Sequence, residues 1–341
     1  MTTVEDLAAT SVQTHRIVFR FPDPEHRVDG VRVWTDLDLG VDPQMTPTDL
    51  GWELRVPMPK LDCLEYLFDV AGEGMVTDPG NPELKDGAFG PHSWLAMPGY
   101  AEPRWLGLEP VEGVRQNVAV DAAVWQPVGV ASNDRLPMLV AHDGPEMDGF
   151  GEVTLFVAAL IGTGELPAMR VALLAPGSRD ERYGANPAYP SKLGGTAVAR
   201  LLRQYPSDHK PVLMGQSLGA LAALHAAWHE PGVFGGLFLQ SGSFFTQELD
   251  PQESGYARFA DVTGFVADVH AADRAPSLPP TTITCGTAEE NLANNIAMRE
   301  TLRHLGVDVG WGETRQGHTW TCWRDLLDPH LTALLQKVWA P

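Results

Sequence analysis

Residues Pro211 to Ser243 confine the fold more than any other stretch of this 341-residue chain. Pro211-Val212-Leu213-Met214 is an apolar run of the kind that forms a buried strand. Gly215-Gln216-Ser217-Leu218-Gly219 follows, and Ala220–His229 is rich in alanine and leucine, which favour helix. A strand, a sharp turn with a serine between glycines, and a helix is the order that lifts a serine hydroxyl above the end of a sheet. Such a turn strains the serine backbone and packs chain too closely on either side for a Cβ, which accounts for the glycines. Ser217 then stands at the head of a helix, with the Leu218 N–H aimed at any oxygen bound there. The plainer alternative is a turn serine with no chemistry.

Length and charge narrow the rest. The chain is long enough for two domains. A formal net charge of -20 repels nucleic acid and anionic membrane surfaces, so neither is expected as a partner. Three widely spaced cysteines, Cys63, Cys285 and Cys322, form neither a disulfide framework nor a zinc pattern, and they suit a reducing compartment. The N-terminus lacks the basic flank and apolar core of a secretory signal. No apolar run approaches the length of a membrane span. The expectation is a cytoplasmic protein, monomer or homodimer, that needs no metal and no organic cofactor.

Along the chain the hydrophobic period changes once. Residues 1–12 read as a lead-in. His15–Phe21, Val31–Trp34, Trp52–Val56 and Leu64–Val70 alternate with period two and are separated by Pro, Gly and Asp, as in a small β-sandwich. Trp34 and Trp52 read as core before ligand platforms. Residues 73–113 show little period and much Pro and Gly, and read as a connector pinned by Trp94 and Trp105. Strands and helices then alternate: an antiparallel opening pair at Val114–Val120 and Ala123–Gln126, strands at Leu136–Ala141 and Met169–Ala175, and a helix at Thr196–Gln204. After the Ser217 turn come strands at Gly236–Gln240, Thr281–Cys285 and Val307–Glu313, and helices at Asn291–His304 and Arg324–Trp339. This predicts an N-terminal β-sandwich domain with connector over 1–110. It is followed over 111–341 by a mainly parallel sheet covered by helices on both faces, of the α/β-hydrolase class.

A serine hydroxyl is a weak nucleophile and needs a base that is itself oriented. In α/β-hydrolases the chain order is serine, acid, histidine. His225 and His229 lie on the turn's own helix and cannot fold back, His304 ends a helix, and His330 sits at the Asp328-Pro329 turn. His318 follows Gln316-Gly317 on a loop just after a strand, where a base belongs. The acid belongs after the Thr281–Cys285 strand, where Thr287-Ala288-Glu289-Glu290-Asn291 offers two candidates. Glu289, the first after the turn, is expected, with Glu290 next and Asp268 or Asp273 behind. Either glutamate could instead only favour the next helix's first turn. A second oxyanion donor is expected from Asp143 or Gly144 in His142-Asp143-Gly144-Pro145. Arg179, Arg182 and Tyr183 follow the next strand and could grip an anionic or aromatic substrate, or only form surface ion pairs. Trp320 beside His318 joins them as a substrate-contact candidate.

Assembled, these pieces resemble the enterochelin (enterobactin) esterase family within the broader esterase group of α/β-hydrolases. The resemblance rests on LMGQSLGALAALHAAWHEPGVFGGLFLQSGSFF, VAHDGPEMDG, RDERYGANPAYP, CGTAEENLANN and RQGHTWTCWRDLLDPHL, spread over residues 136–333. FDVAGEGMVTDPGNPELKDGAFGPHSWLAMPGY extends it more loosely into the N-terminal domain. The resemblance implies serine esterase chemistry on a small-molecule ester, with Ser217, His318 and Glu289 as the triad and Arg182 or Arg179 at the substrate. It implies as substrate the trilactone of a catecholate siderophore, cleaved to release iron inside the cell. The same residues leave open a feruloyl-type or other acyl esterase, an acyltransferase, and a binding protein whose hydrolase domain is only a scaffold.

Overall fold

The computed structural model describes residues 9–118 and 120–339, so the first eight residues of the expected lead-in lie outside the described residues. Contacts divide the chain into two compact units. One is Met1–Ala101 with Thr287–Glu289 and Thr314–Thr321; the other is Glu102–Gly286, Glu290–Glu313 and Cys322–Pro341.

Among its described residues the first unit holds nine strands: β1 (Ser11–Gln13), β2 (Arg16–Pro22), β3 (Val31–Trp34), β4 (Thr46–Thr48), β5 (Gly51–Pro57), β6 (Cys63–Val70), β7 (Gly74–Val76), β8 (Leu84–Lys85) and β9 (His92–Ala96). They form two sheets, ordered β1-β2-β5-β4 and β3-β6-β9-β8, with β7 beside β6. Alternation explains the layering. Val31 and Val33 of β3 are buried while Arg32 and Trp34 are exposed, as a period of two requires. Ile17, Phe19 and Val56 from one sheet share a core with Val31, Val33, Tyr66 and Phe68 from the other. Phe19 meets Tyr66 edge-on at 5.0 Å between ring centroids, an arrangement aromatic quadrupoles favour.

The stretch read as an unpatterned connector is more ordered than its sequence. It contains β7, β8 and β9, and β9 pairs antiparallel with β6. Two- to five-residue strands between Pro and Gly are too short to build a visible period. Trp94 and Trp105 are both buried, and Trp105 packs edge-on against Phe156 inside the second unit.

The second unit is built on one eight-stranded sheet: β10 (Gly113–Val118), β11 (Ala122–Pro127), β12 (Met138–Ala141), β13 (Arg170–Leu174), β14 (Val212–Gln216), β15 (Gly236–Gln240), β16 (Thr281–Gly286) and β17 (Val309–Thr314). The spatial order is β10-β11-β13-β12-β14-β15-β16-β17. β10, β11 and β13 run antiparallel to one another in turn, whereas β13, β12, β14, β15 and β16 are mutually parallel. Those parallel strands are buried along their whole length, which is why most of them read as largely apolar runs. Parallel strands end on one edge of the sheet, so the turns after β12, β13, β14 and β15 gather there.

Three helical details depart from the expected pattern. The helices Val153–Gly162 and Phe259–Ala271 fall where the sequence shows no clear helical period, and the first is apolar almost all round because it is almost wholly buried. The helix expected at Thr196–Gln204 is a wide π turn, Ser191–Val198, continuing as Ala199–Gln204. The closing helix is two, Trp320–Asp325 and His330–Val338, broken at Asp328-Pro329, where proline supplies no N–H and disfavours helix in the residue before it.

Candidate active site

Ser217 joins β14 to the helix Leu218–His229 with φ 56° and ψ -124°. A residue with a Cβ in that region stores about 1–3 kcal/mol of strain. Main-chain bonds hold it there. The Ser217 N–H donates to the Gln240 carbonyl at 2.9 Å, and its carbonyl accepts from Ala220, Leu221 and Ser243 at 3.1, 3.2 and 3.2 Å. The flanking glycines answer to contact. A Cβ on Gly215 would lie 2.3 Å from the Gly219 carbonyl oxygen, and one on Gly219 would lie 3.1 Å from the His142 Cβ. Leu218 to Ala227 are all buried, so the helix that carries this turn is anchored on every side. The Leu218 N–H is among the first of that helix and has no intrahelical acceptor by position.

Beside it, β12 ends in His142-Asp143-Gly144. Asp143 has φ 45° and heads the short helix Gly144–Gly149. Its carboxylate accepts two bonds from Arg179, at 2.8 and 2.9 Å, and its N–H points to the Tyr183 hydroxyl at 3.4 Å. Burial works against the Arg179 charge, but the Asp143 carboxylate outweighs it and holds the guanidinium pKa above its ordinary value. A Cβ on Gly144 would meet the Leu173 backbone at 2.3 Å. His142 is wholly buried, donates from Nδ1 to the Met214 carbonyl at 3.0 Å, and is pushed by burial down to about 4, so it is neutral.

The expected substrate-contact residues are placed unequally. Tyr183 is 1% exposed and lies edge-on against His142, with burial pushing its hydroxyl pKa up, so it supports the Asp143 turn from beneath and offers no face to a ligand. Arg179 is engaged by Asp143. Arg182 lines two cavities of about 220 and 580 Å³, the first of which also bears Lys192, Tyr189 and Leu174. Trp320 is half-buried at the start of its short helix.

The histidine and the acid meet in the first unit. His318 Nδ1 donates to the Glu289 carboxylate at 2.8 Å, and the Glu289 side chain is fully buried. Glu290, the second candidate from the sequence, is exposed. With Nδ1 protonated and bonded to the carboxylate, Nε2 is the basic nitrogen. Carboxylates far away in sequence brace this loop. The His318 N–H donates to Asp36 Oδ2 at 3.2 Å. Asp62 Oδ2 accepts from the Thr314 hydroxyl at 3.0 Å and the Arg315 N–H at 3.1 Å, and the Thr321 hydroxyl donates to Glu65 at 2.9 Å. Asp36, Asp62 and Glu65 escaped the sequence reading because nothing local marks them.

A parallel sheet with a strained serine turn at its carboxyl edge is the α/β-hydrolase fold. The chain belongs to the esterase family: the family model described as "Putative esterase" matches residues 117–334. Among curated proteins, none matches the sequence. Solved structures are similar, two of them over nearly the full length. The enterobactin esterase from Shigella flexneri, determined in the presence of enterobactin, has 19% identity and a TM-score of 0.77, covering 99% of this chain and 98% of that one. The ferric enterobactin esterase from Salmonella typhimurium has 20% identity and a TM-score of 0.75, covering 94% and 93%. The feruloyl esterase module from Clostridium thermocellum, complexed with sinapinate, has 11% identity and a TM-score of 0.51, covering 70% and 93%. At these identities the likeness establishes the fold. Among the described residues no group of His, Cys, Asp and Glu is arranged to hold a metal ion, and no helix is long and apolar enough to cross a membrane.

Proposed function

We propose that this esterase-family chain hydrolyses carboxylic esters through Ser217, with His318 as base and Glu289 as the acid that orients it. The observation that carries the reading is the Ser217 backbone, a strained non-glycine turn at the head of a buried helix. Strain of this kind clusters at active sites. The Ser217 hydroxyl attacks the ester carbonyl as its proton passes to His318 Nε2, and the carbonyl π electrons move onto oxygen. The Leu218 N–H and the Gly144 N–H hold that oxyanion, the Asp143 N–H being turned to Tyr183; one such donor contributes about 3 kcal/mol in comparable sites. When the C–O bond breaks, the leaving alkoxide takes the proton from His318. Water, deprotonated by His318, then releases the acid and restores Ser217. Glu289 stabilises the imidazolium in both halves.

For substrate we propose the trilactone of a catecholate siderophore, opened inside the cell to release iron. Support comes from structural likeness to enterobactin esterases over both units, against 67–70% of the chain for the feruloyl esterases. Mass spectrometry of the protein with iron-free and ferric catecholate trilactone, beside a feruloyl ester, p-nitrophenyl butyrate and the Ser217→Ala variant, tests both levels. Linearised siderophore absent with the variant supports the whole reading. Turnover of the feruloyl or nitrophenyl ester alone keeps the triad and removes the siderophore. Full activity in Ser217→Ala removes the nucleophile, and no turnover of any ester leaves the hydrolase fold as a binding scaffold.

A further inference from the structure

Ser243 stands apart among the polar residues around the Ser217 turn. It is 2% exposed, and its Oγ lies 3.2 Å from Ser217 Oγ. Its N–H also donates to the Ser217 carbonyl. The register of β14 and β15 sets Gln216 opposite Gln240, so the Gln240–Ser243 segment runs on beside the elbow. That segment is tied down heavily. The Asn295 side chain bonds both the N–H and the carbonyl of Gly242, at 2.9 and 3.0 Å, and Asn291 donates to the Ser241 carbonyl. The Ser241 N–H donates to the Thr284 carbonyl at 2.7 Å, and Trp323 Nε1 donates to the Ser241 hydroxyl at 2.9 Å. A buried hydroxyl normally finds a partner, and the one this segment presents to Ser243 is the nucleophile's own oxygen.

We propose that Ser243 is a further catalytic residue, donating a hydrogen bond to Ser217 Oγ while that oxygen loses its proton. The inference rests on Ser217 being the nucleophile. A serine has one proton and two lone pairs. When the Ser217 proton goes to a base, its oxygen gains negative charge and can accept from Ser243. A bond to a charged acceptor is stronger than one to a neutral hydroxyl, so the gain is larger at the transition state than in the resting enzyme. The same donor assists deacylation, when Ser217 Oγ leaves the acyl carbon. The opposite polarity, with Ser217 donating to Ser243 at rest, would withhold the proton from the base and slow attack. The two polarities therefore predict opposite effects of removing Ser243.

The test is the second-order rate of labelling by a fluorophosphonate, which depends on attack by the serine oxygen, with peptide mapping of the labelled residue and a melting curve for each variant. In Ser243→Ala the rate should fall about tenfold or more at every pH, while the acid limb of the rate–pH profile stays where it is, because the base is untouched. Ser243→Cys keeps the volume with a weak donor and should fall similarly, which covers the case of Ser243→Ala failing to fold. Wild-type or faster labelling in either folded variant overturns the proposal, as does a displaced acid limb, which would mean the base had moved. Labelling mapped to Ser243, or labelling that survives in Ser217→Ala, overturns the nucleophile assignment itself. Loss of labelling in Ser217→Ala with unimpaired Ser243 variants overturns only the role of Ser243.

Discussion

The serine turn and the histidine loop are held in place by different forces. Ser217 is fixed by main chain pressed against main chain: Gly215 against Gly219, the turn against Gln240 and Ser243. His318 is fixed by side chains, with Glu289 on its ring, Asp36 on its N–H, and Asp62 and Glu65 on the residues to either side. Backbone contact leaves no freedom to adjust, because nothing at the interface can rotate away. Side-chain anchors are individually weaker, and all but the buried Glu289 retain some access to solvent and salt. The nucleophile half should therefore fail all at once, and the base half by degrees.

The sharpest way to break it is Gly215→Ala. The added methyl would sit 2.3 Å from the Gly219 carbonyl oxygen, with only backbone to displace. Overpacking against backbone costs about 3 kcal/mol or more, because there is no rotamer to absorb it. The expected outcome is loss of folded protein, or folded protein without fluorophosphonate labelling, read by circular dichroism and labelling together. A stable, active Gly215→Ala protein would show that the turn is looser than its contacts.

Next is Glu289→Gln, in the base half. An amide can hold its place yet present the wrong hydrogen-bonding face and no charge to an imidazolium. The turnover number for the nitrophenyl ester should drop about 10³- to 10⁴-fold. The melting temperature should move little, since the buried carboxylate gives way to an isosteric neutral group. Glu290→Gln, exposed and one residue away, is the matched control and should leave turnover unchanged.

Acid should act on the second unit through two buried imidazoles. His142 and His225 are each pushed by burial down to about 4, His225 with help from the charges of His229 and Arg258. The unfolded chain binds those protons near pH 6.5, so the stability they contribute is complete above that pH and is lost as pH falls towards 4. At pH 5 each should have cost about 2 kcal/mol relative to pH 7.5. Urea unfolding at the two pH values checks the sum, and His225→Phe should remove about half of the difference.

These contrasts also explain what the sequence revealed. The serine turn was legible because its determinants are contiguous: an apolar strand, two glycines and an alanine-rich helix within 33 residues. Sequence ranks Glu289 ahead of Glu290 only by its order after the turn, because side chains of adjacent residues leave the chain in different directions and only the fold decides which one turns inward. Ser243 lay within the most informative stretch and was still missed, since its partner depends on the pairing register of β14 and β15. Asp36 is 282 positions from His318 and Asp62 is 253 from Arg315, separations at which no local pattern operates. β9 was read as connector because five residues between prolines and glycines give too little period to count.

The smallest expected effect is the one that best separates bracing from chemistry. Asp36→Asn keeps an oxygen that can accept the His318 N–H and removes only the charge. Asp36 keeps part of its surface in solvent, while protein surrounds its carboxyl group. Burial there raises its carboxyl pKa, with His318 opposing the shift and Glu65 adding to it. Because that attraction is mutual, the Asp36 charge also favours protonated His318. Neutralising it should move the acid limb of the kcat/KM–pH profile to lower pH while changing the plateau by less than about threefold, since an exposed charge at this distance is worth under about 1 kcal/mol. Asp36→Ala removes the acceptor as well, so it should lower the plateau further with the same displaced limb. If Asp36→Asn instead lowers the plateau as much as Asp36→Ala does, the charge itself holds the loop. The base half would then be as intolerant as the serine turn.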